Sequence, residues 1–374
     1  MELFGGIKKL GFGLMRLPLK DGRIDTVEFE RMVSSFINSG YSYFDTAPGY
    51  MNGESESLFK RFVVEAYPRH QFQIATKMPA WDLSRVNSEH DVIRVFNQSL
   101  CNTGVDFFDY YLLHNIGGER THLFDKYNVW RFVQERKKDG TIRHYGISFH
   151  GKATELESII TEHPDVEFIQ LQINYADWTS TQVDSKECYN VAVAHSKPVI
   201  VMEPLKGGTL FSLPDSYSKE LAKVNDMSNA RWAFRWLEPL SQVKLVLSGM
   251  SSLAQLKENV LIYDSICPLD QAELLAIEQV QKKIAEASSF ISCTGCLYCR
   301  TVCPCSIPID QVLASLSIYR VYDNISAALN KYRFQTREGN TASTCIGCKS
   351  CEKVCPQQLP IGDLLQKASS LFDK

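Results

Sequence analysis

Long apolar runs are missing from this chain. No stretch approaches about 18 uninterrupted apolar residues, the length a membrane-spanning helix needs, so no transmembrane segment is expected. The opening stretch Met1–Met15 carries Lys8 and Lys9 and lacks the apolar centre of a signal peptide. A surplus of one charge is missing too. Forty Lys and Arg stand against 43 Asp and Glu, a net charge of −3. Neither a nucleic-acid-binding stripe nor an acidic tail is implied. Cysteine is scarce over most of the length, with only Cys101, Cys188 and Cys267 before residue 290. A secreted disulfide scaffold would spread its cysteines through a short chain. A reducing compartment fits better, and the protein is expected in the cytoplasm, without nucleic-acid or membrane partners.

What is present is a core-forming composition and a cysteine-rich end. Apolar residues make up 44% and charged residues 22% of the 374, enough to bury a sizeable core. The length suggests about two or three domains, or one large barrel with an appendage. The other nine of the twelve cysteines lie between Cys293 and Cys355, so the composition changes near residue 290. The expected division is a domain over 1–285 and a second over 286–374.

The first part alternates strand-like and helix-like segments. Strands are expected at Lys9–Met15, Tyr41–Thr46, Phe72–Thr76, Phe108–Leu113, Arg143–Ser148, Phe168–Ile173, Pro198–Glu203 and Lys244–Ser248. Amphipathic helices are expected at Thr26–Ser39, Asp91–Cys101, Asp125–Lys138, Glu155–Glu162, Val183–His195, Leu253–Tyr263 and Leu269–Ser288, with Asp25, Ser57 and Thr154 as caps. Eight such repeats suit an α/β fold of the (β/α)8 TIM-barrel kind, with a doubly wound open sheet as the rival. The fragment Gly11-Phe12-Gly13 lacks the third glycine of a dinucleotide fingerprint, and a tight turn at the barrel's base is the preferred reading.

Four polar residues fall at or just after strand ends: Asp45, Tyr50, Lys77 and His114. In a barrel these ends converge on one mouth. A lysine ammonium lowers a neighbouring tyrosine's pKa, an aspartate keeps that lysine charged, and a histidine orients a carbonyl oxygen. Each alone has an ordinary structural reading; in this order they make Tyr50 a candidate general acid for carbonyl reduction.

The sequence here resembles the aldo-keto reductase superfamily over most of residues 5–263. The resemblance rests on Leu10-Gly11-Phe12-Gly13-Leu14-Met15-Arg16, Phe44-Asp45-Thr46-Ala47 with Tyr50, Ala75-Thr76-Lys77, Asp109-Tyr110-Tyr111-Leu112-Leu113-His114, Gly146-Ile147-Ser148, Ser248-Gly249-Met250-Ser251-Ser252 and Glu258-Asn259. It implies a barrel that exchanges hydride between NAD(P)H and an aldehyde, ketone or alcohol, with Tyr50 as acid/base supported by Lys77, Asp45 and His114. It also implies cofactor contacts from Gly13, Met15, Arg16, Asp45, Ser148, Gln170, Pro204, Leu205, Gly207, Ser251, Gln255, Glu258 and Asn259. Phe149 replaces the usual asparagine after the serine, and Gly249 and Gln255 stand where Lys and Arg often clamp the 2′-phosphate. NADP(H) is expected ahead of NAD(H). Trp81, Asn115 and Trp178 are candidate pocket residues.

The tail holds two runs of one pattern, Cys293-x2-Cys296-x2-Cys299-x3-Cys303-Pro304 and Cys345-x2-Cys348-x2-Cys351-x3-Cys355-Pro356. Zinc sites usually pair Cys-x2-Cys units instead. In two-cluster ferredoxins the fourth cysteine of each run serves the other cluster. One 4Fe-4S cluster would take Cys293, Cys296, Cys299 and Cys355, and the other Cys345, Cys348, Cys351 and Cys303. The tail resembles a bacterial two-cluster ferredoxin domain in which 41 residues separate Cys303 from Cys345, a longer spacing than in compact ferredoxins, with a helical stretch over Gln311–Tyr332. Cys305 reads as a spare thiol.

The two parts imply an oxidoreductase acting on a small carbonyl or alcohol, with clusters that carry electrons or brace the fold. The competing reading is a nucleotide-binding electron-transfer or redox-sensing module working through a redox partner protein. A nicotinamide gives two electrons and a cluster accepts one. No flavin motif is evident: either a partner supplies a flavin for the link, or no link exists.

Overall fold

The computed structural model describes residues 3–373 apart from 182, 289, 290, 292 and 294. The chain forms two compact units, Met1–Pro204 with Ala233–Pro268, and Leu205–Trp232 with Leu269–Lys374.

In the first unit eight parallel strands close a barrel: β1 (Leu10–Gly13), β4 (Tyr43–Asp45), β5 (Gln73–Met78), β6 (Phe108–Ile116), β7 (Ile142–Phe149), β8 (Phe168–Gln172), β9 (Val199–Met202) and β10 (Val243–Ser248), the last pairing back to β1. The barrel, rather than the open sheet, is therefore the fold. A two-stranded hairpin, β2 (Leu19–Lys20) and β3 (Arg23–Ile24), lies between β1 and the first helix.

Side-chain alternation along the strands builds the two layers. On β1, Phe12 faces outward and packs edge-on against Phe29 and Phe36 of the helix Thr26–Asn38. Its neighbour Gly11 faces inward, where an added Cβ would lie 2.8 Å from Leu247 Cδ2 and 3.1 Å from Tyr43. The turn expected at Gly11 is thus absent; the glycine sits in a strand because the filled barrel leaves no room for a side chain. Tyr43, Tyr110, Phe168 and Leu245 fill that interior, and Phe4 stacks on Tyr110 with centroids 5.2 Å apart.

Asp25 caps its helix, accepting from Glu28 N at 3.0 Å. The other two expected caps are corrected. Ser57 lies inside the short helix Ser55–Phe59. Thr154 lies inside Ala153–Glu162, whose first N–H instead donates to Asp184 Oδ2 at 2.9 Å. Two expected helices are each broken by a left-handed residue. Asn128 (φ 52°) separates His122–Lys126 from Val129–Lys138, and Asp323 (φ 47°) separates Ile309–Tyr322 from Ile325–Gln335. Asn and Asp tolerate that conformation because their short side chains bond locally. Asn324 then caps the second piece through Ala327 N.

The cysteine-bearing part of the second unit is helical. The helices Ile309–Tyr322, Ile325–Gln335 and Ile361–Phe372 share a core of Val312, Leu316, Tyr332, Ile361, Leu365 and Phe372. Among the described residues no helix is long and apolar enough to cross a membrane.

Candidate active site and cysteine cavities

Asp45 ends β4, Lys77 lies one residue from the end of β5, and His114 lies near the end of β6. Parallel register puts Asp45 beside Ala75 and Lys77 beside Leu112, so the three face one mouth. Lys77 Nζ donates to Asp45 Oδ1 at 2.5 Å and to the Thr46 carbonyl at 2.8 Å. Both side chains of this pair are buried. Tyr50 follows β4 in a tight turn whose next two residues, Met51 (φ 50°) and Asn52 (φ 57°), are left-handed. Lys77 Nζ sits 4.7 Å from the Tyr50 ring centre, and the His114 ring meets Tyr50 edge-on at 5.9 Å. All four expected residues are thus brought together. Trp81 lies 6.1 Å from His114 on the same side.

The electrostatics differ in one respect from the sequence expectation. Lys77 does pull the Tyr50 pKa down, but burial is larger and leaves it above the ordinary value. The resting site therefore holds a neutral phenol. Burial pushes Lys77 down, yet Asp45 and Tyr50 outweigh it and hold the ammonium above its usual range. Burial, then the Lys77 charge, holds His114 well below the usual histidine range, so its ring is neutral. A charged lysine, a neutral phenol and a neutral imidazole can together donate hydrogen bonds to a developing oxyanion and give it a proton.

Most of the expected nicotinamide contacts lie in the barrel unit. Ser148 on β7 stands in register with Gln170 on β8, and both are buried. Among the described residues, Gln170 Oε1 and Asp45 Oδ2 have no hydrogen-bond partner. A buried amide oxygen without a donor is costly, and a nicotinamide carboxamide would satisfy it. The residues present fit that group. Phe149, which replaces the usual asparagine, is buried, while Ser148 Oγ lies 3.4 Å from His150 Nε2. Gly13 ends β1 opposite Asp45, and Met15 and Arg16 follow it, both exposed. Ser251 Oγ donates to the Arg16 carbonyl at 2.9 Å. Asn259 is buried and donates to Ser248 Oγ at 2.9 Å, with Glu258 beside it on the helix Leu253–Asp264. Pro204 follows β9 at the end of the first unit; Leu205 and Gly207 (φ 64°) belong to the second.

Sequence reasoning missed the supports of this set. Buried Glu56 accepts from Thr76 Oγ1 at 2.8 Å and from Asn102 at 3.1 Å, fixing the strand beside Lys77. Thr46 bonds Ser55 at 2.7 Å, and Ser55 reaches the Leu14 carbonyl at 3.1 Å. Glu203 adds a carboxylate that raises the Tyr50 pKa. Only the adjacency of Thr46 and Thr76 to motif residues hinted at any of this.

In the second unit the cysteines line two cavities. One is bounded by Cys293, Cys296, Cys299 and Cys355 with Leu297 and Asp310. The other is bounded by Cys303, Cys345, Cys348 and Cys351, with Cys305 and Lys349. Each gathers three thiols of one run and the fourth of the other. The two runs repeat at a constant offset of 52 residues, which pairs Cys293 with Cys345, Cys303 with Cys355, and Pro308 with Pro360. The backbone repeats with them: Gly295 and Gly347 have φ 68° and 71°, Leu297 and Lys349 have 67° and 57°. Each Pro precedes the first residue of a helix. The repeat is imperfect, with Asp310 against Gly362 and Cys305 against Gln357. Arg300 grips Asp310 through both carboxylate oxygens. Burial, then Asp310 and the neighbouring thiols, push Cys299 up to about 11. Four crowded sulfurs in an apolar wall fit an iron–sulfur cluster, whose irons would stabilise the thiolates.

Comparison with known proteins agrees with this division. Residues 9–282 match the model of the aldo/keto reductase family, and residues 292–360 match a 4Fe-4S dicluster domain. An aldo-keto reductase of Mycolicibacterium smegmatis is 24% identical over 257 residues, 68% of this chain and 83% of its own length. The protein REDOX 2 of Catharanthus roseus is 26% identical over 278 residues, 68% of this chain and 81% of its own. A solved aldo-keto reductase of Bacillus halodurans superposes with a TM-score of 0.60 at 24% identity, over 73% of this chain and 92% of that one. One of Klebsiella pneumoniae, solved with NADPH, gives 0.56 at 18% identity, over 74% and 91%. The chain belongs to the aldo/keto reductase family, as an NAD(P)H-dependent oxidoreductase barrel to which a 4Fe-4S dicluster domain is joined in sequence.

Proposed function

We propose that the protein reduces a small aldehyde or ketone with Tyr50 as the proton donor, or oxidises the matching alcohol in reverse. The observation that carries this is the buried chain Asp45–Lys77 ending beneath the Tyr50 ring, with His114 at its edge. The bound nicotinamide supplies the hydride. His114 and Tyr50 hold the carbonyl oxygen. Tyr50 gives its proton to that oxygen, and Lys77 stabilises the phenolate left behind. Gln170 and Ser148 orient the carboxamide of the cofactor, and Arg16 with Ser251 and Gln255 serves its adenosine end. NADP(H) is the preferred cofactor, supported by the exposed Arg16 beside Ser251.

The division proposed for these roles is hydride chemistry in 1–285 and iron–sulfur chemistry in 286–374. Two 4Fe-4S clusters are assigned to the two cavities, one on Cys293, Cys296, Cys299 and Cys355, the other on Cys303, Cys345, Cys348 and Cys351. When bound there, such clusters would supply single-electron exchange with a redox partner protein in the cytoplasm. The test is a Tyr50→Phe variant assayed with NADPH and a panel of small carbonyls under anaerobic conditions. Turnover should fall by about 10²–10⁴ while cluster absorbance and NADPH binding are kept. Undiminished turnover would remove Tyr50 from the reaction.

A further inference from the structure

We propose that Glu28 sets the discrimination between NADPH and NADH, by holding a carboxylate where the 2′-phosphate has to approach. This rests on the nicotinamide reading above. The helix Leu253–Asp264 begins at the segment that serves the adenosine end. Its first N–H groups are the donors a phosphate would use. In this chain three donors of that segment are already engaged. Leu253 N donates to Glu28 Oε1 at 2.8 Å. Gln255 N donates to Ser252 Oγ at 3.3 Å, and Ser251 N donates to Gln255 Oε1 at 2.8 Å. One of the three acceptors is an anion, reaching in from the helix Thr26–Asn38.

Glu28 is held there firmly. Its own N–H is capped by Asp25, and its Oε2 accepts from Arg31 at 3.1 Å. The Glu28 side chain is 24% exposed and that of Arg31 is 63% exposed. The carboxylate therefore faces the helix end, and its cation is screened by water. It already compensates the positive end of the helix dipole. A 2′-phosphate meets like charge there, whereas the 2′-hydroxyl of NADH can donate to the same carboxylate.

The opposing cation is Arg16. Its stem passes over Gly249, where an added Cβ would lie 3.3 Å from Arg16 Cδ, and its carbonyl is pinned by Ser251. Arg16 thus favours the phosphate and Glu28 opposes it. The preference for NADPH is kept narrow by this one side chain.

Fluorescence titration of the full-length, cluster-loaded protein with NADPH and with NADH gives both Kd values without turnover. In Glu28→Gln the amide oxygen can still accept from Leu253 N, so the cap persists while the charge goes. NADPH should bind about tenfold more tightly, and NADH no more tightly than before. Arg31→Ala, which unpairs the Glu28 charge, should shift the Kd ratio the opposite way. Parallel changes in both Kd values, or an unchanged ratio in both variants, would overturn the inference. Failure of either nucleotide to bind the wild-type protein would overturn the nicotinamide reading itself, and this inference with it.

Discussion

Tyr50 stands between a burial effect that keeps it protonated and a lysine that favours its phenolate, and burial is the larger. On the proposed mechanism reduction needs the phenol, present below the folded-state pKa, which lies above the ordinary tyrosine value. Its rate should hold from neutral pH to about 10 in so far as it depends on Tyr50. Alcohol oxidation needs the phenolate and should still be rising with pH there. Paired pH–rate profiles check this; a reduction limb falling near pH 7 would contradict it. The Lys77–Asp45 pair makes a second demand. Removing the ammonium in Lys77→Met leaves a buried carboxylate alone and should lower stability by about 3–5 kcal/mol in urea unfolding. Adding Asp45→Asn should recover part of that loss. A single variant as stable as the wild type would show the pair to be better solvated than its burial implies.

Strands and loops carry the next level of constraint. Gly11 is required by close packing across the barrel, so Gly11→Val should destabilise by at least about 1–3 kcal/mol. The cysteine loops predict a contrast between neighbours. Cys303 lines the second cavity as the partner of Cys355 in the 52-residue repeat, whereas Cys305 corresponds to Gln357. Cys303→Ser should lose about half the iron and sulfide, and Cys305→Ser should keep both; equal losses would make Cys305 a ligand. At this level much was legible beforehand. Strand positions showed because β-branched and aromatic runs are bounded by turns, and strand ends carried Asp45, Lys77 and His114 because a barrel aims them one way. Helix breaks at Asn128 and Asp323 were not legible, since both interrupt an apolar pattern that continues on either side. Nor were Glu56 and Glu28, whose partners lie 20 and 225 residues away.

For the whole molecule, the family barrel and the dicluster domain join chemistries that count electrons differently. A hydride carries two electrons and a 4Fe-4S cluster takes one. On the mechanism proposed above, carbonyl reduction in the barrel is complete with hydride and a proton from Tyr50, and has no need of the clusters. Deuterium tracing tests this directly. NADPH labelled at the transferable position of C4 is mixed anaerobically with the protein and a small aldehyde, and cluster absorbance is followed throughout. The label should appear on the carbinol carbon of the product while cluster absorbance stays constant. Unlabelled product, formed in step with bleaching of the clusters, would show that the electrons travel through iron and sulfur instead.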